Sequence, residues 1–179
     1  MRSLKATILS IFLCASCYAQ NDDAIEQIRQ SYTQISQNTR TFSSKEKDDN
    51  GNSTDGGKVT AYFQGKVIQL ITGVYMGESG KQRIEYYFKD GKLIFAVNVD
   101  FTYNRPYSYD EKAAKKNQDT AWFDPRKTVM VIDRYYFDKD KLIQWISSGK
   151  NDHTFDVKKH EAKEKQLLSD ATRLKKLFE

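Results

Sequence analysis

Residues 102–126 contain the side chains best suited to bind a partner. Large aromatic rings offer flat apolar faces with polar edges, and arginines beside them can pair with an anion. Such a set suits a sugar, a peptide or another aromatic group. The competing interpretation is that the rings only hold a long loop against the rest of the domain. The six candidate binding residues are Tyr103, Arg105, Tyr107, Tyr109, Trp122 and Arg126.

The chain offers few other groups for catalysis or metal binding. Its two histidines, His153 and His160, are seven residues apart without an HExxH-type pattern, and no G-x-S-x-G motif is present. An acidic run at 48–59 resembles a calcium loop but has Ser53 and Val59 where that loop needs Gly and Glu. We predict no catalytic residue, no metal and no cofactor. With 24 acidic residues, a mechanism based on two carboxylates stays open.

Residues 1–19 have the order of an export signal. Two basic residues come first, residues 6–15 are mostly apolar, and small residues lead to a cleavage site between Ala19 and Gln20. This order predicts a signal peptide and a periplasmic or secreted mature protein. Lipid attachment at Cys17 is the alternative, but the residues before it lack the usual leucine.

Removal of this leader changes the charge and the chemistry of the chain. The net charge of +5 falls to +3, with 27 basic residues against 24 acidic ones, and both cysteines leave with the leader. The mature chain can then form neither a disulfide nor a thiolate site. Its basic residues alternate with acidic ones, so we expect no nucleic-acid partner. No other apolar run is long enough to span a bilayer, so we predict no transmembrane segment.

Two stretches have the apolar spacing of helices. A capping pattern, Asp23 with Glu26, opens the first at 22–39, and the second covers 156–178. The apolar stripes consist of Ile25, Ile28, Tyr32 and Ile35 in the first and of Leu167, Ala171, Leu174 and Phe178 in the second.

An internal repeat predicts three β-hairpins. The sequence YYFKDGKLI at 86–94 recurs as YYFDKDKLI at 135–143, and a shorter copy, YFQGKVI, lies at 62–68. Each copy places a β-prone run on both sides of a short polar turn. Alternation along the central copy predicts that Leu93, Phe95 and Val97 share one face of the sheet. Because apolar residues occur on both faces, we expect helices to cover one face fully and the other only in part.

These elements predict one α+β domain at 20–179. An antiparallel β-meander of about six strands would be packed by an N-terminal and a C-terminal helix. The segment 43–57 contains no large apolar residue and is predicted to be a mobile loop. The connection 102–126 is far longer than a hairpin requires, and such long connections often carry function.

The repeated hairpin also resembles a group of known proteins. The phrases YYFKDGKLIFAV and RYYFDKDKLIQWI, together with the leader ending YAQ, resemble small exported bacterial proteins. The Tyr-x-x-x-Gly-Lys pattern is similar, more loosely, to the hairpin repeats of MORN proteins. The resemblance implies a hairpin fold and export, and it carries over no site residue.

Composition and motifs favour a non-enzymatic binding protein. The exported context, the aromatic connection and the scarcity of catalytic groups predict an inhibitor or an envelope accessory protein that binds a protein or a glycan. The alternative is an exported hydrolase that uses two carboxylates on a glycan or a peptide. That alternative requires two acidic side chains in one cleft, at least one with a shifted pKa.

Overall fold

Seven strands form one antiparallel sheet in which each strand pairs with its neighbours in the chain, in the order β1 to β7. The computed structural model describes residues 4–49, 53, 55–149 and 156–179, with side chains from residue 21 onward. The meander and its two helices confirm the predicted α+β architecture, with seven strands instead of six. The bounds are α1 Leu4–Asn38, β1 Ser43–Asp48, β2 Gly57–Gln64, β3 Val67–Gly77, β4 Gly80–Lys89, β5 Lys92–Thr102, α2 Glu111–Lys116, β6 Val129–Asp138, β7 Lys141–Ser147 and α3 Val157–Lys176.

The three predicted hairpins are confirmed as β2–β3, β4–β5 and β6–β7. In the β4–β5 turn, Asp90 and Gly91 both have positive φ, 51° and 75°. In the β6–β7 turn, Lys139 and Asp140 take the same conformation, with φ of 49° and 63°. Two positive φ values match the twist of the flanking strands, and glycine adopts them at the least cost.

A β-bulge follows every one of these turns at the same place in the repeat. The pairing shifts by one residue between the tyrosine and the phenylalanine of each motif. The second strand therefore contains one extra residue, and two successive side chains point to the same face of the sheet. By the register, the extra residues are Gln69, Ile94 and Ile143.

This bulge makes one predicted facing wrong. Leu93 packs in the core cluster under α3, whereas Phe95 and Val97 belong to the cluster on the opposite face with α1. The prediction assumed strict alternation along β5. Because Ile94 is the extra residue at the bulge, it shares a face with Phe95 and shifts the alternation by one position.

Each face of the sheet is packed by one helix. The helix α1 lies on what we call the α1 face, and α3 lies on the opposite α3 face, so helices cover both faces in part. On the α1 face, Tyr32 stacks edge-on against Tyr87 and Phe95, with centroids 4.9 and 5.0 Å apart. The α3 face buries the larger cluster, which includes Val59, Ile71, Tyr86, Phe88, Tyr135, Phe137, Leu167, Ala171 and Leu174.

The first strand occupies part of the segment predicted to be a mobile loop. Residues Ser43–Asp48 form β1 and pair along their whole length with β2. All six side chains are exposed, which is why no apolar pattern marks this strand in the sequence. Its strand conformation depends on the hydrogen bonds offered by the edge of β2 rather than on its own burial.

The residue after β1 fastens this edge to the C-terminal helix. Asp49 is buried, and its carboxylate accepts two hydrogen bonds from the Nη1 of Arg173, at 2.9 and 3.0 Å, and one from Nη2 at 3.0 Å. The hydroxyl of Tyr75 donates to the same carboxylate at 2.8 Å. Burial of Tyr75 and its bond to Asp49 raise the pKa of this tyrosine, so it remains a neutral donor. A buried carboxylate requires such partners to offset its desolvation.

Substitutions in the repeated turns test whether their positive φ angles limit stability. We expect Asp140→Gly to raise the free energy of unfolding by about 0.5–1 kcal/mol, because glycine adopts the positive φ of this turn with less strain. The lost ion pair between Asp140 and Lys92, 3.4 Å apart and exposed, matters little. Gly91→Asp should lower the stability by a similar amount, since a side chain there meets no neighbour within 4 Å. Urea unfolding measures both variants, and a less stable Asp140→Gly or a more stable Gly91→Asp would contradict this account.

A second test concerns the carboxylate that joins α3 to β7. Glu164 accepts a bond from the backbone N–H of Leu142 at 2.8 Å and one from the Lys141 ammonium at 3.2 Å. These bonds lower the pKa of Glu164 below its usual 4.5, the backbone bond contributing most. The folded state is therefore stabilised above pH 4.5, and this contribution is lost as the pH falls through the lowered pKa.

We expect Glu164→Gln to lose about 1 kcal/mol of stability at pH 7. The difference from wild type should shrink as the pH falls below 4.5 in urea titrations. Glu161→Gln is the matched control, because this exposed glutamate lies on the same helix and should have little effect. A difference that stayed constant down to pH 3 would show that the charge of Glu164 is not the stabilising feature.

Candidate functional site

The connection between β5 and β6 is a folded crossover that spans residues 103–128. It contains the short helix α2, whose first turn is capped by the Asp110 carboxylate accepting from the N–H of Ala113 at 2.8 Å. A single 3₁₀ turn at Pro125–Lys127 precedes β6 and is capped by Asp124. The crossover therefore has its own local structure, and its conformation is set before any partner binds.

One asparagine joins the two ends of the crossover. The Nδ2 of Asn104 donates to the carbonyl of Trp122 at 2.9 Å, and its Oδ1 accepts from the N–H of Asp124 at 3.0 Å. The N–H of Tyr107 also donates to the carbonyl of Glu78 at 3.0 Å, which fastens the crossover to the β3–β4 turn. These bonds fix the backbone that carries the aromatic side chains.

Both predicted anion-binding arginines are paired within the crossover. The guanidinium of Arg126 donates to both carboxylate oxygens of Asp124 at 3.0 Å, and Arg105 donates to Asp119 at 3.0 Å. The bonds from Arg126 hold the pKa of Asp124 below its usual value, and the N–H of Ala121 is the main cause of the lowered pKa of Asp119. Arg105 and Arg126 thus add little net positive charge for a ligand.

The four predicted aromatic residues divide into two pairs. Tyr103 and Tyr109 are partly buried: the first stacks edge-on against Phe123 with centroids 5.2 Å apart, and the hydroxyl of the second accepts from Asn117 at 3.3 Å. Tyr107 and Trp122 are exposed. The crossover therefore uses one pair of rings for packing and presents the other pair to solvent.

Three further apolar side chains are exposed at this end of the sheet. The register places one residue from each of β3 to β6 in a single row: Met76, Lys81, Phe101 and Met130. Val129 pairs with Thr102, the last residue of β5. Neither helix packs on these residues in the two core clusters. We call the following set the crossover-end patch, with exposed fractions between 42% and 61%: Met76, Tyr107, Trp122, Val129 and Met130.

Sequence reasoning missed the methionines and the valine of this patch. Their strands alternate like any other half-buried strand, so composition does not distinguish them from core residues. Their position along the strands could have identified them. They lie at the strand ends farthest from the three repeated turns, where neither helix packs.

Among the described residues, two acidic side chains of the sheet are diagonal neighbours on the α3 face, Asp100 on β5 and Asp133 on β6. Asp100 accepts from the side-chain amides of Gln82 at 2.9 Å and Asn98 at 2.6 Å, and Asp133 accepts from the indole of Trp145 at 3.2 Å. Each is engaged in structural hydrogen bonds. The hydrogen bonds that they accept lower the pKa of Asp119, Asp124 and Glu164.

The part of the chain that the structure describes contains no group of three His, Cys, Asp or Glu side chains placed to hold a metal ion. His160 is partly buried on α3, while His153 lies outside the described residues. None of the described helices is long and apolar enough to cross a membrane. Compared with family models, curated proteins and solved structures, the chain has no match.

The asparagine that joins the crossover can be tested directly. Asn104→Ala removes both bonds that hold Trp122 and Asp124, so the crossover should open more often while the sheet stays intact. We expect faster amide exchange over 103–128, by about tenfold for a loss of 1–1.5 kcal/mol, with unchanged exchange in β4 and β5. Lys116→Ala on α2 is the control. Equal exchange in both variants would show that Asn104 does not order the crossover.

Proposed function

We propose that this chain is an exported, non-enzymatic binding protein whose crossover-end patch binds a partner protein. The observation that carries the proposal is the exposure of five large apolar side chains at one end of a sheet whose other end is packed by two helices. A grouping of exposed large apolar side chains is typical of protein–protein contact sites.

The order of the crossover supports a binding role. Tyr107 and Trp122 are exposed, yet their backbone is fixed by Asn104 and by the β3–β4 turn. Binding residues that are already in place lose less conformational entropy when a partner arrives. Tyrosine and tryptophan are also the side chains that most often dominate the binding energy of interfaces.

The charges around the patch favour a protein over an anionic ligand. Arg105 and Arg126 are neutralised by Asp119 and Asp124, and the ammonium of Lys81 lies over the ring of Phe101, 4.6 Å from its centroid. An apolar centre surrounded by polar groups is the usual composition of a protein interface. The proposed location outside the cytoplasm rests on the predicted leader at 1–19.

A photo-crosslinking experiment tests the patch. A photoreactive amino acid replaces Met130 in one variant and Val67 in the other, in cells that produce the full chain. Val67 is the matched control because it is 49% exposed, close to the 53% of Met130, but lies at the repeated-turn end of the sheet. We expect a discrete crosslinked protein only from position 130. Loss of residues 1–19 from the envelope-localised protein would support the predicted export.

The affinity of the protein for the isolated partner then tests whether the crossover-end patch is the binding surface. Trp122→Ser should weaken binding at least tenfold, and Val67→Ser should change it less than twofold. Equal affinities for the two variants would contradict the role of the patch. If envelope oligosaccharides bind the wild type and this binding is lost in Trp122→Ser, the partner is a glycan and the protein-partner proposal is overturned.

A further inference from the structure

A groove lies on the α1 face, where α1 stops covering the sheet. It has a volume of about 440 Å³ and is bounded by α1 on one side and by strands β4, β5 and β6 below. This volume falls within the range of small-molecule sites. The groove is separate from the crossover-end patch, because none of the five patch residues lines it.

The floor of the groove has a regular pattern of apolar and charged side chains. The register places Val97 between Glu85 and Arg134, and Val99 between Arg83 and Ile132. An apolar stripe on β5 is thus flanked by charged residues on β4 and β6. Two strand spacings separate these flanks, about 10 Å. This width admits an alkyl chain or one aromatic ring.

Basic residues outnumber acidic ones around this stripe. Arg29 from α1, Arg83 from β4 and Arg134 from β6 line the groove, and Glu85 is the one acidic residue among the lining residues. The carboxylate of Glu85 is already engaged: it accepts from the Tyr87 hydroxyl at 2.7 Å and lies 3.5 Å from the Nε of Arg83. A net positive charge therefore remains beside an apolar floor.

The three arginines differ in how they are held. Arg29 lies over the ring of Tyr136, 5.9 Å from its centroid, and 4.0 Å from Glu26. Arg83 pairs with Glu85. Among the described residues, Arg134 makes no side-chain hydrogen bond and no ion pair, although it is partly buried. A guanidinium presents five N–H donors in a plane that matches a carboxylate, so Arg134 is the group best placed to receive an anion.

We infer that this groove binds a small amphiphilic carboxylate, such as a medium-chain fatty acid. The carboxylate pairs with Arg134, and the apolar body lies along Val97, Val99 and Ile132. Both parts are needed: the isolated charge would remain hydrated, and the tail alone would leave the guanidinium without a partner. This inference does not depend on the proposed partner protein, because its residues and its ligand are different.

Three probes separate the contributions of charge and tail. Octanoate carries both, 1-octanol carries the tail without the charge, and acetate carries the charge without the tail. We expect the purified protein to bind octanoate at least tenfold more tightly than either other probe, measured from amide chemical-shift changes in β4 to β6. Equal binding of 1-octanol would overturn the assignment of a carboxylate site, and absence of octanoate binding would overturn the site itself.

A pair of arginine variants locates the ligand. Arg134→Gln removes the charge from the groove and should weaken octanoate binding at least tenfold. Arg40→Gln is the control, because it removes an exposed arginine that does not line the groove and should change the affinity less than twofold. Thermal unfolding of both variants verifies that they are folded. If octanoate binds Arg134→Gln and wild type equally, Arg134 does not receive the carboxylate and the inference is wrong.

Discussion

The bulge that follows each repeated turn determines how this sheet packs. A strand with strict alternation would send every second side chain to one helix, but the extra residue at Ile94 brings two neighbouring side chains to the α1 face. The same shift at Gln69 and Ile143 keeps the three hairpins in phase with one another. Two apolar faces result near the turns, and each needs its own helix. The positions of α1 and α3, and the ends of the sheet that they leave open, follow from this arrangement.

Charge is distributed in the same two-sided way. From residue 21, α1 contains three acidic residues and one basic residue, whereas α3 contains seven Lys or Arg and three Asp or Glu. On the central strands, Lys81, Arg83 and Arg134 lie on the α1 face together with Glu85, and Asp100 and Asp133 lie on the α3 face. The edge strand adds Lys45 and Lys47 to the α3 face, where they lie opposite Ala61 and Val59.

Much of the fold could be predicted from the sequence, because turns and apolar periodicity are local signals. The hairpins at Asp90-Gly91 and Lys139-Asp140 and the stripe of α3 are of this kind. The strand β1 could not be predicted, since its side chains are exposed and its pairing is supplied by β2. The predicted face of Leu93 was wrong because no particular residue type in the sequence marks the position of the bulge. The groove could not be predicted from the sequence, because Arg83 and Arg134 are 51 positions apart in the chain. Only the strand register brings them to the two sides of β5.

The polar composition of β1 has a consequence for how copies of this chain meet one another. An edge strand offers unpaired backbone groups to any other extended segment, and apolar edges promote sheet-to-sheet aggregation. Here the edge is Ser-Ser-Lys-Glu-Lys-Asp, in which two lysines act as gatekeepers against further strand addition. Asp49, the residue after this strand, ties the edge to Arg173 of α3. Growth of the sheet into a fibril is thereby disfavoured along β1, although each molecule presents a sheet rich in β-branched and aromatic residues.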